Sequence, residues 1–336
     1  MPVVRISDDA GDTMTLLDIN ERFFPVLRTP GYDQETEIRG MESWEARCND
    51  VLVCAYPKSG THWVWEIVNM LINQKATRIP SMKESAMLEG SSRNIMQSMS
   101  SPRILNTHLL FCDIPRDFVE KKCKIIYILR NPKDVAVSFY NHHVRLLDYE
   151  YSGTWRSYLP RFLSGRVDYG SWFDNVLHWH EATKSLPNGS IHVMTHENLH
   201  TSTEEEIRRL AEFLGVGCNN KLSREICEMC SFSVMKQDKD PLEDASEWKH
   251  GEPGIYRKVN RDRANIKSEG TFFRVYKKDR WGIGETGSRW HRTRCSQPCM
   301  NRKWRTRTLH WSTDTTKSRA YLGHFFNITS RQKRPQ

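Results

Sequence analysis

Residues 51–72 constrain this chain more than any other stretch. Val51-Leu-Val-Cys-Ala55 is an unbroken apolar run of strand length. The loop Tyr56-Pro-Lys-Ser-Gly-Thr-His-Trp63 follows it, and then Val64, Ile67, Val68, Leu71 and Ile72 fall at helical spacing. A buried strand, a short glycine-containing loop and a helix N-terminus make an anion cradle, because free backbone N–H groups and the helix dipole both favour negative charge. Lys58 adds a mobile cation, and Ser59 and Thr61 add hydroxyl donors. The segment is suited to a phosphate-like group.

It is not a nucleotide-triphosphatase loop. That loop needs G-x-x-x-x-G-K-[ST], with the lysine after the last glycine. Here Lys58 precedes Gly60, and Thr61-His62 follow it. A second strand-to-helix junction lies at Ile125-Ile-Tyr-Ile-Leu-Arg130, where Asn131 and Pro132 lead into Ser138-Phe-Tyr140. Pro132 suits the first turn of a helix, where its missing N–H costs little. Arg130 and Ser138 flank the junction, and a guanidinium fork with a hydroxyl can clamp a phosphate. Alone, Arg130 reads more readily as a surface ion-pair residue; its pairing with the first loop reverses that reading.

Ile104-Leu105 and Ile191-His-Val-Met194 are further strand candidates, and Gly170–Trp179 begins a helical pattern. Ser202 or Thr203 caps a helix with an apolar face of Ile207, Leu210, Ala211 and Leu214, ended by Gly215. Strands alternating with helices predict a single α/β domain with a mostly parallel central sheet flanked by helices. Phosphate-binding loops then lie at the carboxyl ends of the strands. No internal repeat is evident.

The 336 residues are 38% hydrophobic, enough for a large core. There is no N-terminal secretory run and no apolar stretch of membrane-spanning length. Nine scattered cysteines suit reduced thiols and a cytoplasmic protein. Cys227-x-x-Cys230 has no second Cys/His pair at fitting spacing, so no metal is expected. Asn188-Gly-Ser190 and Asn327-Ile-Thr329 match glycosylation sequons, without a route that would use them.

Y-P-K-S-G-T-x-W resembles the 5′-phosphosulfate loop of the cytosolic sulfotransferases, and the Arg130–Ser138 segment resembles their 3′-phosphate site. The resemblance covers roughly residues 30–274. It implies transfer of a sulfuryl group from 3′-phosphoadenosine 5′-phosphosulfate (PAPS) to the hydroxyl of a small phenol or alcohol, without a metal. Lys58, Ser59, Gly60, Thr61, His62 and Trp63 match the loop, with His62 in place of a second threonine. Asn106-Thr-His-Leu-Leu110 resembles the family's K-T-H-L-P, with Asn106 replacing the lysine and Leu110 the proline. Its His108 matches the catalytic base. A lone histidine is more often structural; its place after a strand and its match to that segment single this one out, and histidine is a side chain that ordinarily titrates near neutral pH. Lys58 would stabilise charge on the bridging oxygen. His196-Glu-Asn-Leu199 stands where the family has Y-E-D-M, and Cys230-Ser-Phe232 where it has Thr-Ser-Phe. This carries adenine recognition onto His196, Ser231 and Phe232, although Phe232 also reads as plain core. Met82–Arg93 and Arg145–Gly153 are the variable segments expected to line the acceptor pocket, with Phe24, Phe111, Phe139, Tyr140 and Trp172 as contributors.

The C-terminus departs from the pattern. The resemblance continues through Phe272-Phe-Arg274, with Arg274 at the first position of the family's R-K-G, and then stops. If the third base of each codon is read with the first two of the next, codon degeneracy from Lys277 to Arg294 permits K-G-Q-V-G-D-W-R-N-W-F-T-V-A-Q-N-E. That string resembles the family's missing G-D-W-K-N and F-T-V-A-Q-N-E segments. Residues 275–336 are therefore expected to be an out-of-frame tail following a sulfotransferase domain at 1–274. Charge agrees: the tail has 15 Lys and Arg against 3 Asp and Glu, whereas the whole chain is only +9. Arg302-Lys-Trp-Arg-Thr-Arg307 otherwise reads as a patch for nucleic acid or an anionic membrane, but neither partner is expected of an out-of-frame product. The family's dimerisation segment overlaps the lost stretch, which predicts a monomer. Loss of the R-K-G lysine and glycine makes an impaired or inactive sulfotransferase the alternative expectation.

Overall fold

A computed structural model of the chain describes residues 2–29 and 31–251. Its centre is a four-stranded, wholly parallel sheet of β4 (Val51–Ala55), β5 (Ile104–Thr107), β6 (Lys124–Leu129) and β7 (Ile191–Thr195), in the order β5-β4-β6-β7. The sequence predicted all four. β4 and β5 are buried at every residue, and β6 at all but Lys124. Such continuous apolar runs belong to parallel strands covered on both faces.

Register decides where the site falls. Val53 pairs with Asn106 on one side and Ile126 on the other, and Leu129 pairs with Thr195. The four carboxyl ends are therefore level, and Tyr56, His108, Arg130 and His196 each follow a strand on the same edge.

The helices are α1 (Gln34–Arg39), α2 (Thr61–Ile72), α3 (Arg93–Ser98), α4 (Asp117–Glu120), α5 (Pro132–Arg145), α6 (Trp155–Leu163), α7 (Trp172–Ser185), α8 (His196–Thr201), α9 (Thr203–Leu214), α10 (Asn220–Met229) and α11 (Phe232–Lys239). α2 packs on β4 and β5, and its Trp65 donates Nε1–H to the Ile104 carbonyl at 2.8 Å. α7 covers β6: Trp179 stacks on Tyr127 at 5.0 Å between ring centroids, and the Tyr127 hydroxyl donates to Asn175 at 3.0 Å. Asn131 caps α5 by accepting the Lys133 N–H, with Pro132 in the first turn as predicted. α9 ends at Gly215 in the left-handed region, again as predicted. Ser202 occupies its N-cap position without a side-chain cap, and Thr203 instead donates its hydroxyl to the Leu199 carbonyl at 2.7 Å.

The amino ends of β4 and β5 are tied by a buried ion pair. Arg103 Nε donates to Asp50 at 3.0 Å, a second guanidinium nitrogen donates to the Glu45 carbonyl at 3.1 Å, and the guanidinium lies over Trp44.

The sequence reading did not anticipate a second sheet. β1 (Val3–Ser7), β2 (Thr13–Ile19) and β3 (Arg22–Phe24) form an antiparallel meander. Asp8 opens its first turn by accepting the N–H groups of Ala10 and Asp12. Asn20 and Glu21, both at positive φ, make the second as a two-residue hairpin. Met14, Leu16 and Leu17 of β2 are fully buried, so the meander shares the main core.

Candidate active site

The loop after β4 is built by backbone conformation. Lys58 and Gly60 both have positive φ, at 64° and 107°. Gly60 is the N-cap of α2, and a Cβ there would stand 3.0 Å from His196 Cδ2. Glycine is therefore required twice, by its dihedral and by its neighbour. The hydroxyls of Ser59 and Thr61 are buried and have no hydrogen-bond partner among the described residues. Unsatisfied buried hydroxyls are costly and call for a ligand or water. Here they flank a helix N-terminus, where an oxyanion would satisfy them.

The two sequence motifs meet directly. Arg130, just beyond β6, donates to the Lys58 carbonyl at 2.6 Å. The next residue, Asn131, donates its N–H to Glu197 of α8 at 2.9 Å. His196 opens α8 and meets Trp63 edge-on, with 5.8 Å between ring centroids. Loop, β6 junction and α8 are thus one connected group. Burial lowers Lys58 to about 8, against the pull of Glu243, so it remains mostly a cation at neutral pH. Burial, then Arg130, pushes His196 down to about 3.

His108 lies beyond β5. Its Nδ1 is 2.7 Å from the Ala55 carbonyl, which can only accept, so Nδ1 carries the proton and Nε2 keeps its lone pair. Its backbone N–H donates to Glu89 Oε1 at 2.7 Å, while Thr107 donates to the other carboxylate oxygen. Burial raises the Glu89 carboxyl. The Tyr169 ring meets the imidazole edge-on at 5.3 Å. Burial first, and then the charge of Lys83, push His108 down to about 3.

Three residues of this wall escaped the sequence reading: Lys83, Glu84 and Glu89. They fall within Met82–Arg93, expected only to line the acceptor pocket. Glu84 Oε1 lies 3.1 Å from both His62 Nε2 and Lys83 Nζ. Burial opposes its ionisation, yet His62 and Lys83 hold its carboxyl well below the ordinary range. Burial lowers His62 itself. Charged residues set directly against the apolar Ala86, Met87 and Leu88 were the available signal.

Ser138 is half-buried on α5. Ser231 is the N-cap of α11, and Phe232, its first residue, is 40% exposed. An open groove of about 450 Å³ runs from Phe232 along α11 to Pro241. Of the aromatic residues expected near the acceptor, Phe24, Phe139 and Trp172 are buried in the core. Phe272, Phe273 and Arg274, and the junction at 274–275, lie outside the described residues. Among the described residues no cluster of His, Cys, Asp or Glu would hold a metal, and no helix is long and apolar enough to cross a membrane.

A sulfotransferase-domain family model matches residues 48–266. Mouse sulfotransferase 1B1 is 36% identical over 209 residues, covering 59% of this chain and 69% of its own. Bovine sulfotransferase 1A1 is 34% identical over 208 residues, covering 59% and 70%. The crystal structure of mouse sulfotransferase SULT7A1 complexed with PAP, 26% identical, superimposes with a TM-score of 0.63 over 78% of this chain and 91% of that one. The chain belongs to the sulfotransferase family. It is a PAPS-dependent enzyme that transfers sulfuryl groups to hydroxyl acceptors.

Proposed function

We propose that the strand-edge residues divide the transfer among them as follows. PAPS, when bound, supplies an activated sulfuryl group on its 5′-phosphate. The backbone N–H groups at the start of α2, the hydroxyls of Ser59 and Thr61, and Lys58 hold that phosphate, with His62 closing the loop. Arg130 and Ser138 hold the 3′-phosphate, an assignment supported by the Arg130 bond to the loop itself. Trp63, His196, Ser231 and Phe232 flank the adenine, and Phe272, Phe273 and Arg274 would close the site. His108 takes the acceptor's hydroxyl proton at Nε2 as the new sulfur–oxygen bond forms. Lys58 steadies the charge that develops on the bridging oxygen as the bond to phosphate breaks.

The observation that carries this reading is the pair of buried, partnerless hydroxyls at Ser59 and Thr61 beside the left-handed Gly60. They fit a phosphate and leave an unexplained cost without one. The test is radiolabelled sulfuryl transfer from PAPS to a simple phenol. His108→Ala and Lys58→Ala should each lower turnover about 10³-fold, with His108→Ala still binding PAP. Full turnover by either variant would refute its assigned role.

The acceptor is a small hydroxylated molecule, the protein is cytoplasmic, and the chain is a monomer lacking the family's dimerisation segment. The domain ends near residue 274, followed by an out-of-frame tail. The family match that stops at residue 266 supports this boundary. Sedimentation at micromolar concentration tests the monomer, and independent transcript sequencing across codons 275–294 tests the frame. If the tail impairs the enzyme, turnover will be slow although the cradle still binds PAP.

A further inference from the structure

Lys83 is a buried ammonium, only 4% exposed, on the wall that carries His108. Its segment joins β5 through a parallel bridge from Met87 to Asn106. Asn106 is fully buried and gripped by Lys83 at both ends of its amide. Its Nδ2 donates to the Lys83 carbonyl at 2.7 Å, and its Oδ1 accepts from Lys83 Nζ at 3.3 Å. The ammonium also lies 3.9 Å from the Met87 thioether and 3.1 Å from Glu84 Oε1. Burying an ammonium is costly unless its charge is matched or used.

Glu84 matches it only on one side. The same carboxylate oxygen faces His62, so ammonium and carboxylate form a dipole with its negative end at the phosphosulfate loop and its positive end at Asn106. Their effects divide the same way. Lys83 outweighs Glu84 at His108 and at Lys58, whereas Glu84 outweighs Lys83 at His62. Lys83 thus adds positive charge beside the space shared by the base and the loop lysine, where an anionic sulfuryl group would change bonds; it is opposed there by Glu84 and, at Lys58, by Glu243. Asn106, which has no charge of its own, holds the ammonium there.

We infer that Lys83, positioned by Asn106, supplies a positive charge to the sulfuryl group during transfer. It is a positioning charge on the donor, distinct from the base. The inference rests on the assignment of His108 and the loop proposed above. Its test is chosen to separate the two.

The full-length chain and its Lys83→Met variant are titrated calorimetrically with PAP and with PAPS, which differ by the sulfuryl group. Both are then assayed for kcat on a simple phenol. Loss of one charged contact predicts a PAPS affinity weakened about tenfold, with PAP affinity changed less than about threefold. It also predicts a kcat lowered about 10- to 100-fold. Asn106→Lys in the Lys83→Met background should restore most of both losses, which a purely structural lysine would not allow. If Lys83→Met does not fold, Lys83→Gln is judged by the same limits. Equal loss for PAP and PAPS, unchanged kcat, or no rescue overturns the inference and leaves the function standing. Failure of the unsubstituted chain to bind either nucleotide overturns both.

Discussion

The two walls of the site are made in different ways. The wall after β4 is backbone: Lys58 and Gly60 at positive φ, and a helix beginning at Thr61, fix an anion site within six residues. The wall after β5 is a relay assembled across segments: the Ala55 carbonyl holds the His108 ring, Glu89 accepts its backbone N–H, and Lys83 and Glu84 arrive from a separate segment some twenty residues earlier. A backbone cradle tolerates little change in sequence. In a relay, a charge can be supplied by another element provided it arrives at the same place.

Substitutions in each wall sharpen that contrast. The largest effect belongs to His108→Ala on the relay wall. It should lower kcat about 10³-fold, with PAP affinity within about threefold of the parent, and similar losses in both would show that the histidine is structural. Next is Arg103→Met, which leaves Asp50 buried and unpaired below both walls. Unfolding in urea should show a loss of about 3–4 kcal/mol. A loss under 1 kcal/mol would mean that the two strands do not depend on this tie.

Acid should act on the relay wall. His108 sits near 3 in the folded protein, below its unfolded value of about 6.5. The unfolded chain therefore gains protons first as pH falls. The stability contributed by the neutral ring is complete above pH 6.5 and is lost progressively down to about pH 3. By pH 5 this histidine alone costs about 2 kcal/mol, which His108→Gln should remove from the difference between melts at pH 7 and pH 5. An unchanged difference would contradict the depressed value.

Smaller effects belong to the cradle. Gly60→Ala faces a dihedral penalty of about 1–2 kcal/mol and a close approach to His196, so PAP affinity should fall at least tenfold. Ser59→Ala removes a hydroxyl with no partner among the described residues. It should leave unfolding stability equal or slightly higher while weakening PAP about five- to tenfold. A drop in stability would mean that the hydroxyl is already satisfied.

Legibility followed the same division. The parallel sheet was readable because buried strands such as Val51–Ala55 and Ile125–Leu129 are apolar at every position. The cradle was readable because its chemistry is contiguous in the chain. Lys83 and Glu89 were not, since their roles depend on a bridge between residues 87 and 106 that no local pattern encodes. Asn106 looked like a lost charge for the same reason. The N-terminal meander was missed although its turns are locally written in Asp8 and in Asn20-Glu21. Its strands are short, and β1 is largely exposed, which weakens the alternation that marks a strand.

The most direct measurement is calorimetric titration of the purified full-length chain with PAP, alongside a circular dichroism melt that establishes folding. A preformed cradle at residues 56–63, tied to Arg130, predicts micromolar or tighter binding. A cooperatively folded sample that binds PAP only at millimolar concentration, or not at all, would contradict it.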